Sequence, residues 1–375
     1  MLRFLSAGES HGKALMGIVE GMVAGVKIGQ REINAELRLR KKVWGRGPRS
    51  STEDDGCEIL SGVIEGKTTG SPVALKIDNK EKKFEQKTVP RPGHADLAGA
   101  IKYNFKNIHL VAERASARET AVRVAVGKIA KKFLAEFGVD FLSHTVMIGG
   151  IRASINLNDI DQKTKKMRNE SDLYCLDKEA TSRMKEKIKE AEQKGDTAGG
   201  ISEVLIKGLP PGIGSHVHYD RRLDYRLAGS LMSIPSVKAV EIGEGFLAPQ
   251  RFGSEFHDAL AYENQIRRQS NNAGGIEGGI SNGELIVVRL YVKPVPTLRK
   301  PLSSFDLITG KSTQAPYVRS DVCVVPSAGI IGEAAAGWEI ARSFLEKFGG
   351  DTLSETKKNF DSYSKNIMNL KNGGS

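Results

Sequence analysis

The chain has 375 residues, 39% of them hydrophobic and 27% charged, and its 56 lysines and arginines against 45 acidic residues leave a net charge of +11. That is enough to bury a large core in one or two domains, and the basic excess suits nucleic acid, a membrane surface or small anionic ligands. The low aromatic content (6%) argues against a single-strand binding platform, no apolar run reaches the length of about 18 residues that spans a bilayer, and three scattered cysteines without a C-x-x-C point to reduced thiols in a cytoplasmic protein with no structural zinc.

Residues 1–30 are punctuated by glycines, which predicts short strands and turns; the apolar start is too short and too soon polar for a signal peptide. Residues 31–42 read as a basic helix, 44–55 as a Gly/Pro loop, 58–64 and 72–77 as strands, and 79–92 as a polar, mobile loop. From Glu113 the spacing of Val122, Ala125, Ile129 and Phe133 predicts one helix running to about Phe137, with Gly138 placed as a C-cap. A strand over 139–150 precedes a charged surface excursion at 152–195. Strands follow at 201–207, 237–242 and 284–292, with helices at 221–234 and 328–348. The expected organisation is one α/β-type domain over 1–350, with mixed, largely antiparallel sheet around a helical layer. A polar, flexible tail over 351–375 completes it.

Several stretches carry residues suited to chemistry. In the Glu113 to Val124 segment, Arg114 and Arg118 are four apart, as are Ser116 and Thr120, which suits an anion at a helix start. Gly8-Glu9-Ser10-His11-Gly12 places a potential proton donor, His11, between glycines that allow a ligand close approach. It also fits the letters of a nucleophile elbow, as does Gly279 to Gly283, but neither match is followed by a helix pattern, so a hydrolase is excluded. Arg40, Arg46 and Arg49 surround a Gly-rich turn and suit bidentate binding of carboxylate or phosphate. Arg91-Pro92-Gly93-His94-Ala95-Asp96 presents His94 on a turn, with Asp96 able to orient it. The glycines of 274–279 together with Lys293 and Thr297 suit a phosphate cradle. Arg319-Ser320-Asp321 precedes the last long helix, where an ion pair is the plain expectation. Gly243-Glu244-Gly245 fits a loose dinucleotide pattern but runs into Pro249, and no P-loop exists.

Taken together, these segments resemble chorismate synthase, along residues 1 to 350. The carriers are Gly8 to Gly12 with its apolar continuation to Gly21, the Glu113 to Val124 stretch, and Arg319 to Asp321, supported by 91–96, 274–283 and 293–297. The resemblance implies a β-α-β sandwich, with helices between two antiparallel sheets, assembled as a homotetramer. It implies 1,4-anti elimination of phosphate from 5-enolpyruvylshikimate 3-phosphate, using reduced FMN without net redox change. By the same resemblance His11, His94 and Asp321 handle protons. Positive charge for substrate and flavin comes from Arg40, Arg46, Arg49, Arg118 and Arg319, and Ser10 and Ser116 hydrogen-bond substrate or flavin. Arg114, Ala115, Ser116, Pro235, Ser236, Gly278, Lys293, Pro294, Val295, Pro296, Thr297 and Arg319 line the FMN site. Three departures stand out: Ala115 where a second serine is common, His109 in place of arginine, and Pro235-Ser236 in place of a polar-plus-Ala pair. Some members reduce their own flavin with NADPH and others rely on an external reductase; the absence of a nucleotide motif favours the second type here. The rivals are an NADPH-consuming flavin oxidoreductase and, from a different class, a basic nucleic-acid-binding protein, against which stands the lack of any recognisable binding module.

Overall fold

Strict alternation governs the first sheet. In β2 (Ala14–Glu20) Leu15 and Val19 are buried while Met16 and Ile18 are exposed, and in β6 (Val73–Asp78) Val73, Leu75 and Ile77 are buried. Such a period of two means one face on a core and one open. With β1 (Arg3–Ala7) and β3 (Cys57–Ser61) these strands form an antiparallel sheet ordered β1-β2-β6-β3, and a small hairpin of β4 (Val63–Ile64) and β5 (Lys67–Thr68) extends the turn between β3 and β6. The computed structural model describes residues 1–45, 55–80, 84–155, 157, 159–262, 266–317 and 321–371.

The second sheet has five antiparallel strands ordered β10-β15-β9-β7-β8. They are β7 (Asp140–Ile148), β8 (Ile151–Arg152), β9 (Gly200–Lys207), β10 (Val237–Ile242) and β15 (Ile286–Val292); β11 to β14 (Leu260–Tyr262, Ile266–Arg268, Ile276–Glu277 and Ile280–Ser281) make two small hairpins between them. The central strands β7 and β9 are buried on both faces, because Ile160 and Leu157 cover Leu142 and Leu205 on the outer side. The segment expected as a surface excursion therefore closes part of the core, and it buries Tyr174, Met184 and Ile188 as well.

Between the sheets lie α1 (Gln30–Lys41), α4 (Thr120–Ala135) and α9 (Val325–Phe348). The remaining helices in order are α2 (Asp96–Tyr103), α3 (His109–Ala115), α5 (Gln162–Glu170), α6 (Lys178–Gln193), α7 (Leu223–Met232), α8 (Gly253–Phe256) and α10 (Leu353–Lys371). α4 rests on β2 and β6, α9 rests on β7 and β9, and the two helices pack on each other. α9 is buried nearly all round, which is what an internal helix requires. The sandwich is thus the one expected, with both sheets fully antiparallel. Among the described residues no helix is long and apolar enough to cross a membrane.

Two expectations are corrected. The helix predicted from Glu113 to Phe137 is two helices: α3 ends at Ala115, Ser116 is extended (ψ 139°), a 3-10 turn covers Ala117–Glu119, and α4 starts at Thr120. Ser116 caps the new start by accepting the Arg118 N–H at 3.3 Å, the local bond by which serine competes with a continuing helix. The tail expected to fray beyond Asp351 is α10, whose Phe360 and Tyr363 pack against Phe137, Phe344 and Phe348.

The helix crossing in the middle layer depends on Gly127. A Cβ there would lie 2.5 Å from Ala334 Cβ and 2.6 Å from its Cα and carbonyl oxygen. Glycine to alanine inside a helix ordinarily stabilises by about 0.5–1 kcal/mol. Here the clash is with backbone, so Gly127→Ala should instead destabilise by about 1–3 kcal/mol, read as a lower midpoint in chemical denaturation with unchanged slope.

Candidate active site

A cavity of about 510 Å³ opens where the two layers' element ends converge, a size within the range of about 300–1,000 Å³ typical of ligand pockets. α4 and α9 both begin at it, Thr120 and Ser327 lying on its wall, so two helix N-termini add positive potential. Arg40 and Lys41 reach it from the end of α1, Ser10 and His11 from the turn after β1, and Lys293, Val295, Pro296 and Thr297 from the exit of β15.

The deepest charges are organised around Asp55. Arg40 donates to Asp55 Oδ2 at 2.8 Å, and Arg118 pairs with the other carboxylate oxygen. Arg118 also donates through Nε to Asn79 Oδ1 (2.9 Å) and through Nη2 to the Asp78 carbonyl (3.3 Å), while Arg40 reaches Thr120 Oγ1 at 3.2 Å. Both arginines are buried, at 4% and 8% exposure. Burial alone would raise the Asp55 carboxyl, but the two guanidiniums outweigh it and hold the group below the usual carboxylate range.

Two imidazoles are oriented by carboxylates. Glu113 accepts the His11 backbone N–H at 2.6 Å with one oxygen and meets His11 Nδ1 at 2.6 Å with the other. Its carboxyl is held low: burial opposes, but the bonds from His11 and the nearby His109 prevail. Asp96, fully buried, lies 2.5 Å from His94 Nδ1 and accepts from Arg91 Nε at 2.7 Å and Nη2 at 3.0 Å. Burial pushes Asp96 up, but His94 and Arg91 hold it far below the ordinary range. A carboxylate at Nδ1 requires the proton there; Nε2 is left for other partners in His11, whereas in His94 Arg91 Nη2 lies 3.4 Å from it.

Of the residues predicted for the site, Ser10, His11, Arg40, His94, Ala115, Ser116, Arg118, Pro235, Ser236, Lys293, Val295, Pro296, Thr297 and Asp321 border the cavity. Arg46, Arg49 and Arg319 lie outside the described residues. Three predicted positions are elsewhere. Arg114 ends α3 and donates to Ser6 Oγ (2.7 Å) and to the carbonyls of Ser6 (3.0 Å) and Gly8 (3.1 Å), bracing the glycine turn from behind. Because the chain breaks at Ser116, Arg114 and Arg118 do not share a helix face. Gly278 sits in the tight β13–β14 turn with φ 58°, away from the cavity lining, and Pro294 packs against Gly199. The residues that sequence reasoning missed are the carboxylates and amide that hold the others, Asp55, Glu113 and Asn79, along with Lys87 on the wall; His109, noted only as a departure from the family pattern, lies there too.

Asp55→Asn would leave two buried guanidiniums undercompensated and should cost about 3–5 kcal/mol of stability. Because the folded-state values of Asp55 and Asp96 are depressed, their stabilisation is complete above the unfolded carboxyl value of about 3.9 and is lost as pH falls through the lower folded values. Urea titrations stepped downward from pH 5 should show stability falling below about pH 4, with a shallower fall in the Asp55→Asn protein.

Comparisons with known proteins bear on the whole chain. The family model described as chorismate synthase matches residues 2–345. The chorismate synthase of Solibacter usitatus is 47% identical, with 98% of this chain and 100% of that protein covered. That of Caldicellulosiruptor bescii is 49% identical over 95% of this chain and 98% of its own length. A crystal structure of chorismate synthase superimposes with a TM-score of 0.82 at 40% identity, covering 98% of both chains. With the family model spanning nearly its whole length and relatives of this identity, the chain belongs to the chorismate synthase family.

Proposed function

We propose that this chain eliminates phosphate from 5-enolpyruvylshikimate 3-phosphate to give chorismate, with reduced FMN as its cofactor. The observation that carries this reading is the pairing, in one basic cavity, of two imidazoles that are separately oriented by buried carboxylates. A substrate with two carboxylates and a phosphate needs concentrated positive charge, and Arg40 and Arg118 supply it at fixed positions, with the helix N-termini behind them. Preorganised cations lower a barrier because they need not reorient as charge develops on the leaving phosphate; each ~1.4 kcal/mol so gained is about tenfold in rate.

The residues present fit a flavin. Ile234, Pro235, Val295 and Pro296 give the cavity an apolar stretch for a flat ring, and Ser116, Ser236, Lys293 and Thr297 add polar contacts beside it. When bound, reduced FMN supplies the electron-rich ring that assists the elimination without net oxidation. The chain's own groups do the rest. His11, fixed through Nδ1 by Glu113, holds a second proton at Nε2 when the ring is doubly protonated, on the cofactor side. His94, fixed through Nδ1 by Asp96, in its doubly protonated form delivers one from Nε2 towards the leaving phosphate. Asp321, on the wall just before α9, offers a carboxylate oxygen as a proton acceptor. Lys293 donates to the Gly93 carbonyl at 2.6 Å and so ties the His94 turn to the exit of β15. A homotetramer, a cytoplasmic setting and reduction of the flavin by an outside reductase belong to the same reading; buried, unpaired cysteines and the lack of a dinucleotide motif support the last two.

The test is anaerobic: protein, chemically reduced FMN and 5-enolpyruvylshikimate 3-phosphate, following phosphate and the diene absorbance of chorismate together. Product is expected with reduced FMN and none with oxidised FMN. His11→Ala should keep flavin binding while kcat falls about 10²-fold or more; an unchanged kcat would remove His11 from the proton path. NADPH should not be consumed by the protein and FMN alone.

A further inference from the structure

We propose that His11, His109 and Glu113 form a binding site for a divalent transition-metal ion of the Zn2+ class, and that occupying it inhibits the enzyme. The inhibition rests on the role given to His11 above; the binding does not. Among the described residues these three bring together ligating atoms that all lie within 4.8 Å of one another. Glu113 Oε1 is 2.6 Å from His11 Nδ1 and 3.4 Å from His109 Nε2. A tetrahedral ion with bonds of about 2.0–2.1 Å places its ligand atoms about 3.3 Å apart. The carboxylate–His109 separation already meets that spacing; the His11 ring has to draw back from the carboxylate by less than about 1 Å and turn toward His109, whose ligating nitrogen lies within 4.8 Å of its own.

The supporting framework is in place. His109 and Glu113 are one turn apart on α3, so one face of one helix presents both. The third ligand comes from the glycine-flanked turn, where His11 is 27% exposed through its side chain and has room to rotate. The rings of His11 and His109 lie nearly parallel, 26° apart, with centroids separated by 6.0 Å. Glu113 keeps its second oxygen on the His11 backbone N–H, which orients the carboxylate as an outer-shell bond orients a metal ligand. All three residues border the cavity, so a fourth position is open to water or to an anionic ligand.

Two imidazoles and one carboxylate select for Zn2+, Co2+ or Cu2+ over Mg2+ or Ca2+, which require mostly oxygen ligands. The basic cavity strengthens that choice. Its cations oppose any dication, so coordinate bonds to nitrogen have to carry the affinity. An ion in this place takes Nδ1 of His11 and ends its hydrogen bond to Glu113, the bond that fixes the tautomer.

The experiment titrates the chelator-treated full chain with Co2+ and follows the visible d–d absorption of a four-coordinate site. A saturable signal of one ion per chain is expected, displaced by Zn2+ and untouched by Mg2+. His109→Gln and His11→Asn should each weaken it by about tenfold or more, whereas His218→Gln, at an exposed histidine paired with Asp220, should leave it unchanged. The two variants lie on different elements, so a folding defect in buried His109→Gln leaves His11→Asn to decide. No saturable band, or equal affinity in both variants and the parent, overturns the site. In the lyase assay Zn2+ should inhibit and excess chelator restore the rate. Binding without inhibition overturns the inhibitory role while leaving the lyase assignment untouched.

Discussion

Everything near the cavity depends on how Asp55 shares one carboxylate between two guanidiniums. A site for a multiply charged anion has to collect cations, and two like charges 4 Å apart at an effective dielectric of about 20 repel by roughly 4 kcal/mol. Asp55 offsets that while tying α1, through Arg40, to the entry of α4, through Arg118. Asn79, at the end of β6, completes the joint. The same device recurs with Asp96 between Arg91 and His94. Inside the helical layer the signs are reversed: half-buried Lys131 lies between Glu36 and Glu333, and burial of Glu36 is outweighed by Lys131 and Lys128, which hold it down at about 2. These buried charges are therefore shared; Asp55 and Lys131 join elements remote in sequence, whereas Asp96 fixes its own turn.

The break at Ser116 is the backbone counterpart of that arrangement. A continuous helix would have kept Arg114 and Arg118 on one face, competing for one ligand. The extended residue separates them. Arg114 turns back to brace the Gly8 carbonyl, and Arg118 turns inward to Asp55. The break also brings the Glu113 carbonyl to the Ser10 N–H at 3.0 Å and its carboxylate to His11, so α3 and the glycine turn are built as one unit.

How much of this could be read from the chain follows the range of each interaction. Elements set by period alone were legible: β10 is found where its apolar run lies, and α9 begins within a few residues of its predicted start. The Ser116 break was hidden because helix-favouring residues stand on both sides of it, and one hydroxyl decides the matter. α10 was legible and missed: Leu353, Thr356, Phe360 and Tyr363 are spaced as one helical stripe, but the polar residues between them mask it in composition. Residues bearing chemistry were recognised by type and motif. Their partners were not, since His11 and Glu113 are 102 positions apart and Arg118 and Asp55 are 63 apart. Spacing motifs for metals fail for the same reason at His11, His109 and Glu113.

The positions expected from the resemblance to depart from the family pattern, 109, 115 and 235–236, all fall on the cavity wall, and the structure shows what each residue does there. Ala115 offers no hydroxyl beside Ser116, whose own accepts from Ser10 Oγ at 3.1 Å. At 235–236 the backbone matters more than the side chains. Ser236 is left-handed, φ 74°, and its carbonyl accepts the Lys293 N–H. A non-glycine residue in that region is held there by its surroundings at a cost of order 1–3 kcal/mol. What the turn between α7 and β10 fixes is thus a path for the main chain beside β15, and a proline followed by a small polar residue satisfies it. His109 differs in kind: where the resemblance leads one to expect a permanent cation, the chain has a group that can be neutral and can bind a metal. That exchange leaves the shape of the cavity wall in place and alters what His11 and Glu113 can share.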